Sequence, residues 1–390
     1  MPARSFAGPL LGLTLSGCIA PHGVHPAPKA AILAASAPAP VTRWLGGACA
    51  DAPRAPLDWS KARIDGRTER TPQGERFAWS GTAFSFRFRG TGFQVELEDS
   101  GRNLFGITLD GVAVAGKLTA LVGPQCYALA EHLAPGEHRI TLTRLTEAML
   151  GESELRYAGS GPSGELLPPD AAQARSVEVI GDSITAAYGV EGKNQYCHFS
   201  PDTENYSLSY AALIGRAMQA RVTAVAWSGK GVYSNAGSET DLIPMPVLWQ
   251  RTLPERADSQ WDFARSQPDA VVIDLGTNDF AAKDLDAAAF QAAYVAFLAR
   301  VRAAYPSAAI FCALPPSLTD YWPPGKKART TGAEWIHAVV VLRNDPRTFY
   351  FEHAAVTDAE GHGCDWHPSP NTHARMAEEL RAELAKRLGW

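Results

Sequence analysis

The chain has 390 residues, enough for two domains with separate cores, and carries a formal net charge of −5 with both signs dispersed. It offers no basic stripe of the kind that holds nucleic acid. Six cysteines are too few for a disulfide scaffold, and with no CxxC pair they do not point to structural zinc.

At the amino end Arg4 precedes a short apolar run, residues 6–15, followed by Leu15-Ser16-Gly17-Cys18. The run is too short and too interrupted by Gly and Pro for a comfortable membrane span. It resembles a lipoprotein-type signal peptide, residues 1–18, with Cys18 lipidated and becoming the mature amino terminus. An ordinary secretory signal is the alternative, and both imply export, to the periplasm or the cell surface. Residues 19–43 are rich in Ala and Pro and read as a flexible tether. Beyond Cys18 there remain Cys49, Cys126, Cys197, Cys312 and Cys364. Export permits disulfides, but these five cannot all pair within one chain, and spacing does not say which is left over.

Residues 44–167 have the texture of an all-β domain. Residues 84–89 (FSFRFR) and 93–98 (FQVELE) alternate apolar and polar with period two, and Gly90-Thr91-Gly92 between them predicts a hairpin. A second hairpin is expected from 104–109 and 112–114 around Asp110-Gly111. Residues 138–144 (HRITLTR) form another alternating strand. Many short strands with turn signals and almost no helix predict a jelly-roll sandwich. Its aromatics fall on the alternating face and read as core.

Ser160-Gly161-Pro162-Ser163-Gly164 marks the boundary to a second domain, 168–390. Strands are expected at 177–180, 221–227, 269–275, 308–314 and 348–351. Helices are expected at 206–219, 285–304, 333–343 and 372–388. Alternation of nearly continuous apolar strands with helices predicts an α/β fold, a parallel sheet covered on both faces. Sites in such sheets form at the carboxyl ends of the strands.

Four candidate motifs lie at those ends. Residues 177–188, VEVIGDSITAAY, break from a strand at Gly181-Asp182-Ser183 and enter a helix from Ile184. Such a turn lifts a serine Oγ out of the sheet beside free backbone N–H groups, as a nucleophile requires. Ser228-Gly229-Lys230-Gly231 is a glycine loop whose N–H groups can approach a ligand closely. In Gly276-Thr277-Asn278-Asp279 the Asn278 amide can donate to an oxyanion, and Asp279 can brace a loop through backbone N–H groups. Gly363-Cys364-Asp365-Trp366-His367-Pro368 supplies a histidine base, held away from helix by Pro368. His362, Cys364, His367 and His373 also cluster in sequence, but their spacing matches no common zinc pattern, and no metal is expected.

Taken in this order, GDS, the glycine loop, GTND and DWHP resemble the SGNH/GDSL hydrolase superfamily. With the leading β-domain and its HRITLTRLTE segment, residues 138–147, the chain resembles carbohydrate esterase family 2, the acetylxylan esterase-like deacetylases. The resemblance covers 44–390 and implies an SGNH (flavodoxin-like) parallel sheet behind a jelly roll. It implies Ser183 as nucleophile and His367 as general base and acid. The oxyanion hole would be the N–H of Ser183, the N–H of Gly231 and the Asn278 amide, with Gly229 as the rival to Gly231. Many superfamily members place an aspartate three residues before the histidine, where this chain has Cys364. A Ser–His dyad is therefore expected, with Asp365 as the remaining candidate orienter of the imidazole. Activity should fall as His367 is protonated at acid pH. The implied reaction proceeds through acetyl-Ser183 and requires no cofactor. The implied substrate is an O-acetylated polysaccharide or oligosaccharide such as xylan or mannan. Trp322, in the segment after the fourth strand, and Trp366 are the candidate stacking platforms. Rival readings are an SGNH lipase or thioesterase, a cell-wall glycan esterase, and a non-catalytic surface carbohydrate-binding protein. Membrane contact is expected only through lipid at Cys18.

Overall fold

The computed structural model describes residues 43–46, 49, 57–161, 164–236, 242–282 and 285–390. The signal segment, Cys18 and the tether up to residue 42 lie outside the described residues. The described residues belong to one compact unit.

The first part is a sandwich of two antiparallel sheets. One sheet includes Phe93–Asp99, Gly123–Ala130 and Ser153–Gly159; the other includes Ala83–Gly90, Gly136–Arg144 and Leu104–Leu109. The expected hairpin at Asp110-Gly111 forms, with Thr108 opposite Ala113 and Leu109 opposite Val112. The hairpin expected across Gly90-Thr91-Gly92 does not form. Ala83–Gly90 pairs with Gly136–Arg144, and Phe93–Asp99 pairs with Gly123–Ala130 in the opposite sheet. The connection is an arch from one sheet to the other. Both strands point their apolar side inward, so Phe86 and Phe88 meet Phe93 across the core at ring-centroid distances of 5.3 and 4.8 Å. Period-two alternation fixes which side of a strand is buried, but not whether the next strand lies beside it or across from it.

The second part is a five-stranded parallel sheet. Its strands, in spatial order, are Ala220–Ala226, Arg175–Gly181, Ala270–Asp274, Ala309–Leu314 and Thr348–Glu352. In chain order this is 2-1-3-4-5, the flavodoxin-like arrangement. Every residue of Ala270–Asp274 and Ala309–Leu314 is buried, because both faces are covered. Helices Ala287–Ala304 and Ala328–Arg343 pack one face, where Phe290, Phe297, Val301 and Ile336 join the core. Helices Tyr210–Met218 and Pro370–Leu388 pack the other, with Ile214, Met376 and Leu380.

Three helices differ from expectation; the one expected at 333–343 begins earlier, at Ala328. The one entered at Ser183 is a single turn, Ser183–Ala186, because Ala187 adopts a left-handed conformation with φ 64° and ends it. The one expected from residue 206 begins at Tyr210, where Ser209 caps it by accepting from the Ala211 N–H at 3.2 Å.

The two parts are joined by a buried ion pair. Arg67 of the sandwich donates from Nη2 to Glu178 Oε2 at 3.1 Å, on the strand that leads to Ser183. Its Nη1 donates to the carbonyls of Trp249 and Arg251. Glu178 also accepts from Trp249 Nε1 at 2.7 Å and from the Tyr305 hydroxyl at 2.9 Å.

Candidate active site

Ser183 follows the strand Arg175–Gly181 and begins the one-turn helix. Asp182 caps that turn, its Oδ1 accepting from the Ile184 N–H at 3.0 Å. The Ser183 N–H stands at the first helical position and so has no intrahelical acceptor. His367 arrives from the loop before the last helix, and its Nε2 lies 2.9 Å from Ser183 Oγ. On its other side, Nδ1 meets the backbone carbonyls of Cys364 at 3.2 Å and Asp365 at 3.1 Å. Carbonyls only accept, so Nδ1 carries the proton and Nε2 is left as the base facing the serine.

The Asp365 carboxylate does not orient the imidazole. It accepts from the Tyr188 hydroxyl, His198 Nδ1 and the Phe199 N–H, each at 2.9 Å. Asp365 has φ 51°, which turns its side chain away while its carbonyl faces His367. These three donors outweigh partial burial and hold its carboxyl below the ordinary aspartate value. The Tyr188 ring, held by that carboxylate, packs on the imidazole at 4.2 Å. Enclosure of the His367 ring pushes its pKa down to about 4, against the pull of the two carbonyls and of Asp365.

The glycine loop decides between its two candidates. The Gly231 N–H is already engaged by Asn235 Oδ1 at 3.1 Å, and Gly231 is buried against Ser234 and Asp279. Gly229 is half-exposed with φ +81°, and its N–H donates to no group among the described residues. Of the two glycines, Gly231 thus has its N–H engaged, and Gly229 has its N–H unengaged among the described residues. Asp279 is a brace, and the segment it holds is the one after the glycine loop, where it accepts from the N–H groups of Val232, Tyr233 and Ser234 at 2.8–2.9 Å. Burial pushes its pKa up to about 6 despite those three donors.

Asn278 sits between the nucleophile turn and the glycine loop. Its Nδ2 donates to Asp182 Oδ2 at 3.1 Å and to the Lys230 carbonyl at 2.9 Å. The amide thus locks the two loops together, and donation to an oxyanion requires one of these bonds to be shared.

The cysteines pair as Cys49–Cys126 and Cys197–Cys364, and Cys312 is the buried free thiol among the described residues. Cys364 is thereby tied to the 189–204 segment. His373 turns away from the site, its Nδ1 accepting from the Tyr210 N–H at 3.2 Å. Trp322 and Trp366 are exposed at 60% and 57%, and both line a groove of about 780 Å³ with Tyr321, His362 and Asp365. Its lining includes Asp365 and Trp366, the two residues before His367, but neither His367 nor Ser183.

Sequence reasoning did not single out the roles of Asp182, Tyr188 and Asn235. Asp182 and Tyr188 lie within the 177–188 stretch, but nothing in their spacing shows that they meet Asn278 and Asp365.

A flavodoxin-like sheet with a serine and a histidine in contact at its carboxyl end, behind a β-sandwich, defines a two-part GDSL-type hydrolase. Residues 64–169 match the family model described as Carbohydrate esterase 2 N-terminal, and residues 179–375 match the GDSL-like Lipase/Acylhydrolase family. The cellulase/esterase CelE of Acetivibrio thermocellus is 36% identical over 322 residues, which cover 82% of this chain and 38% of that protein. This chain thus spans well under half the length of that relative. An acetylxylan esterase / glucomannan deacetylase of Cellvibrio japonicus is 28% identical over 65% of this chain and 68% of its own length. The structure of a family two carbohydrate esterase from Clostridium thermocellum in complex with cellohexaose superimposes with a TM-score of 0.80 at 35% identity. That match covers 84% of this chain and 99% of the other. The chain belongs to carbohydrate esterase family 2.

Proposed function

We propose that this chain is a serine esterase that removes O-acetyl groups from polysaccharide of the xylan or mannan type. The observation that carries the reading is the 2.9 Å contact between Ser183 Oγ and His367 Nε2, with Nδ1 held by two backbone carbonyls. His367 takes the serine proton as Oγ attacks the acetyl carbonyl. The N–H groups of Ser183 and Gly229 and the Asn278 amide receive the oxyanion. His367 then protonates the departing sugar hydroxyl, leaving acetyl-Ser183. Water deprotonated by His367 attacks that ester, acetate departs, and the serine recovers its proton. Trp322 and Trp366 offer faces on which a sugar ring stacks, and the names of the relatives support a polysaccharide substrate.

The test is acetate release from acetylated xylan and acetylated glucomannan by wild type and Ser183→Ala. Release that vanishes in the variant is expected. Cleavage of nitrophenyl acetate through Ser183 with no release from either polymer would keep the chemistry and overturn the substrate. The proposal includes export and lipid attachment at Cys18, supported by the LSGC sequence and by two disulfides that suit an oxidising compartment. Cys18→Ala should then move the protein from the membrane fraction to the soluble one.

A further inference from the structure

The HRITLTRLTE segment of the sandwich ends in Glu147, a fully buried carboxylate far in sequence from the catalytic motifs. Its Oε2 accepts from the Ser228 N–H at 2.7 Å and its Oε1 from the Ser228 Oγ at 2.6 Å. Ser228 is the residue before Gly229. Two donors on one residue fix both the position and the rotation of that peptide, and the next N–H along the chain is the available oxyanion donor.

Glu147 is itself held from three directions. Its N–H donates to Glu204 Oε2 at 3.1 Å, and its carbonyl accepts from Arg144 Nη2 at 3.0 Å. Arg144 is buried and also donates to Asn103 Oδ1, Ser153 Oγ and the Thr146 and Gly151 carbonyls. The Tyr206 N–H donates to the Leu145 carbonyl at 3.0 Å, so the segment is clamped against the catalytic part. The Ser228 N–H can only donate, so Glu147 Oε2 is its acceptor. Burial raises the pKa of both Glu147 and Glu204, and the Glu147 charge raises Glu204 further.

We propose that Glu147 is a positioning residue of the esterase site: the sandwich reaches across and sets the Ser228–Gly229 turn so that the Gly229 N–H meets the oxyanion. This gives the β-sandwich a catalytic part through geometry, without contact to the substrate. The inference rests on the Ser183 esterase reading above.

The experiment compares wild type, Ser228→Ala, Glu147→Ala, Glu147→Gln and the Ser228→Ala/Glu147→Ala double variant of the full chain. Nitrophenyl acetate gives kcat and KM. Phenylboronic acid, which forms a tetrahedral adduct on serine, gives an inhibition constant, and Tm reports folding. Displacing a catalytic donor by about 1 Å costs on the order of 10²-fold in rate. Glu147→Ala should therefore lower kcat by about 10²-fold, with KM nearly unchanged and boronate inhibition weakened in parallel. Ser228→Ala, which removes one of the two bonds, should lose about 3- to 10-fold. The double variant should be no worse than Glu147→Ala, because the two residues act as one unit. Glu147→Gln, which keeps an acceptor for the Ser228 N–H, should recover part of the loss. If Glu147→Ala does not fold, Ser228→Ala decides. A kcat and boronate constant equal to wild type in a folded Ser228→Ala or Glu147→Ala overturns the inference. Wild-type turnover that survives Ser183→Ala would instead overturn the esterase reading beneath it.

Discussion

At the scale of single residues, the site substitutes backbone for a side chain. The position three before His367 holds Cys364, and the imidazole is oriented by the carbonyls of Cys364 and Asp365. Carbonyl dipoles fix the tautomer but stabilise an imidazolium less than a carboxylate would. Enclosure then sets the pKa, pushing His367 down to about 4. The sign is that of a base made harder to charge: His367 stays neutral, and competent, well below the ordinary histidine value near 6.5. The acid limb of kcat/KM should therefore lie well below pH 6.5, toward about 4, and a rate that holds at pH 5 is consistent with His367 as the base. A limb centred at 6.5 would show an open, hydrated imidazole instead. His367→Ala should lose about 10²–10⁴-fold in kcat, the range of general-base catalysis. Asp365→Ala should lose far less, under about tenfold, because its carboxylate bonds Tyr188, His198 and Phe199 and not the imidazole, and the Asp365 carbonyl that meets Nδ1 is kept in the variant. Equal losses in the two variants would restore Asp365 as a third member.

At the scale of elements, the histidine loop is short, turned through two left-handed residues, Asp365 and Trp366, and stitched to its surroundings. Cys364 is bonded to Cys197 and its N–H donates to the Gly189 carbonyl at 2.9 Å. The Asp365 N–H donates to the Cys197 carbonyl at 3.0 Å. Gly192 lies where any Cβ would fall 2.5 Å from Cys364 Sγ, so the neighbouring segment closes tightly over the disulfide. The crosslink spans a sequence separation of 167, and removing such a bond costs about 2–4 kcal/mol. Cys364→Ser/Cys197→Ser should lower Tm and also lower kcat with little change in KM for nitrophenyl acetate, since the freed loop carries the base. A variant with lower Tm and full kcat would show that the crosslink serves stability alone.

At the scale of the whole molecule, the two parts share a buried ion pair. Arg67 and Glu178 are both nearly inaccessible, and Glu178 stands on the strand that ends at Ser183. Breaking such a pair from one side leaves the other charge uncompensated and costs about 3–5 kcal/mol. Arg67→Ala should lower Tm in a single transition that includes the catalytic part. Two separated transitions would mean that the parts unfold independently. Glu147 makes the same connection at the carboxyl end of the sheet, where stability passes into chemistry.

The sequence by itself determined the alternation of strands and helices, the inward face of each strand, and the order of Ser183, Asn278 and His367. These follow from local periodicity and from turn chemistry within a few residues. It also marked Asp279 as a loop brace through backbone N–H groups, without saying which loop. Tertiary structure alone decided the rest: that 83–90 and 93–99 face each other across a core, that Asn235 uses the Gly231 N–H and leaves Gly229, that Asp365 turns to Tyr188, and that Cys312 is the free thiol. Each depends on contacts between segments far apart in the chain. A hydrogen-bonding group's partner is set by which surfaces packing brings together, and that is not written in the group's own neighbourhood.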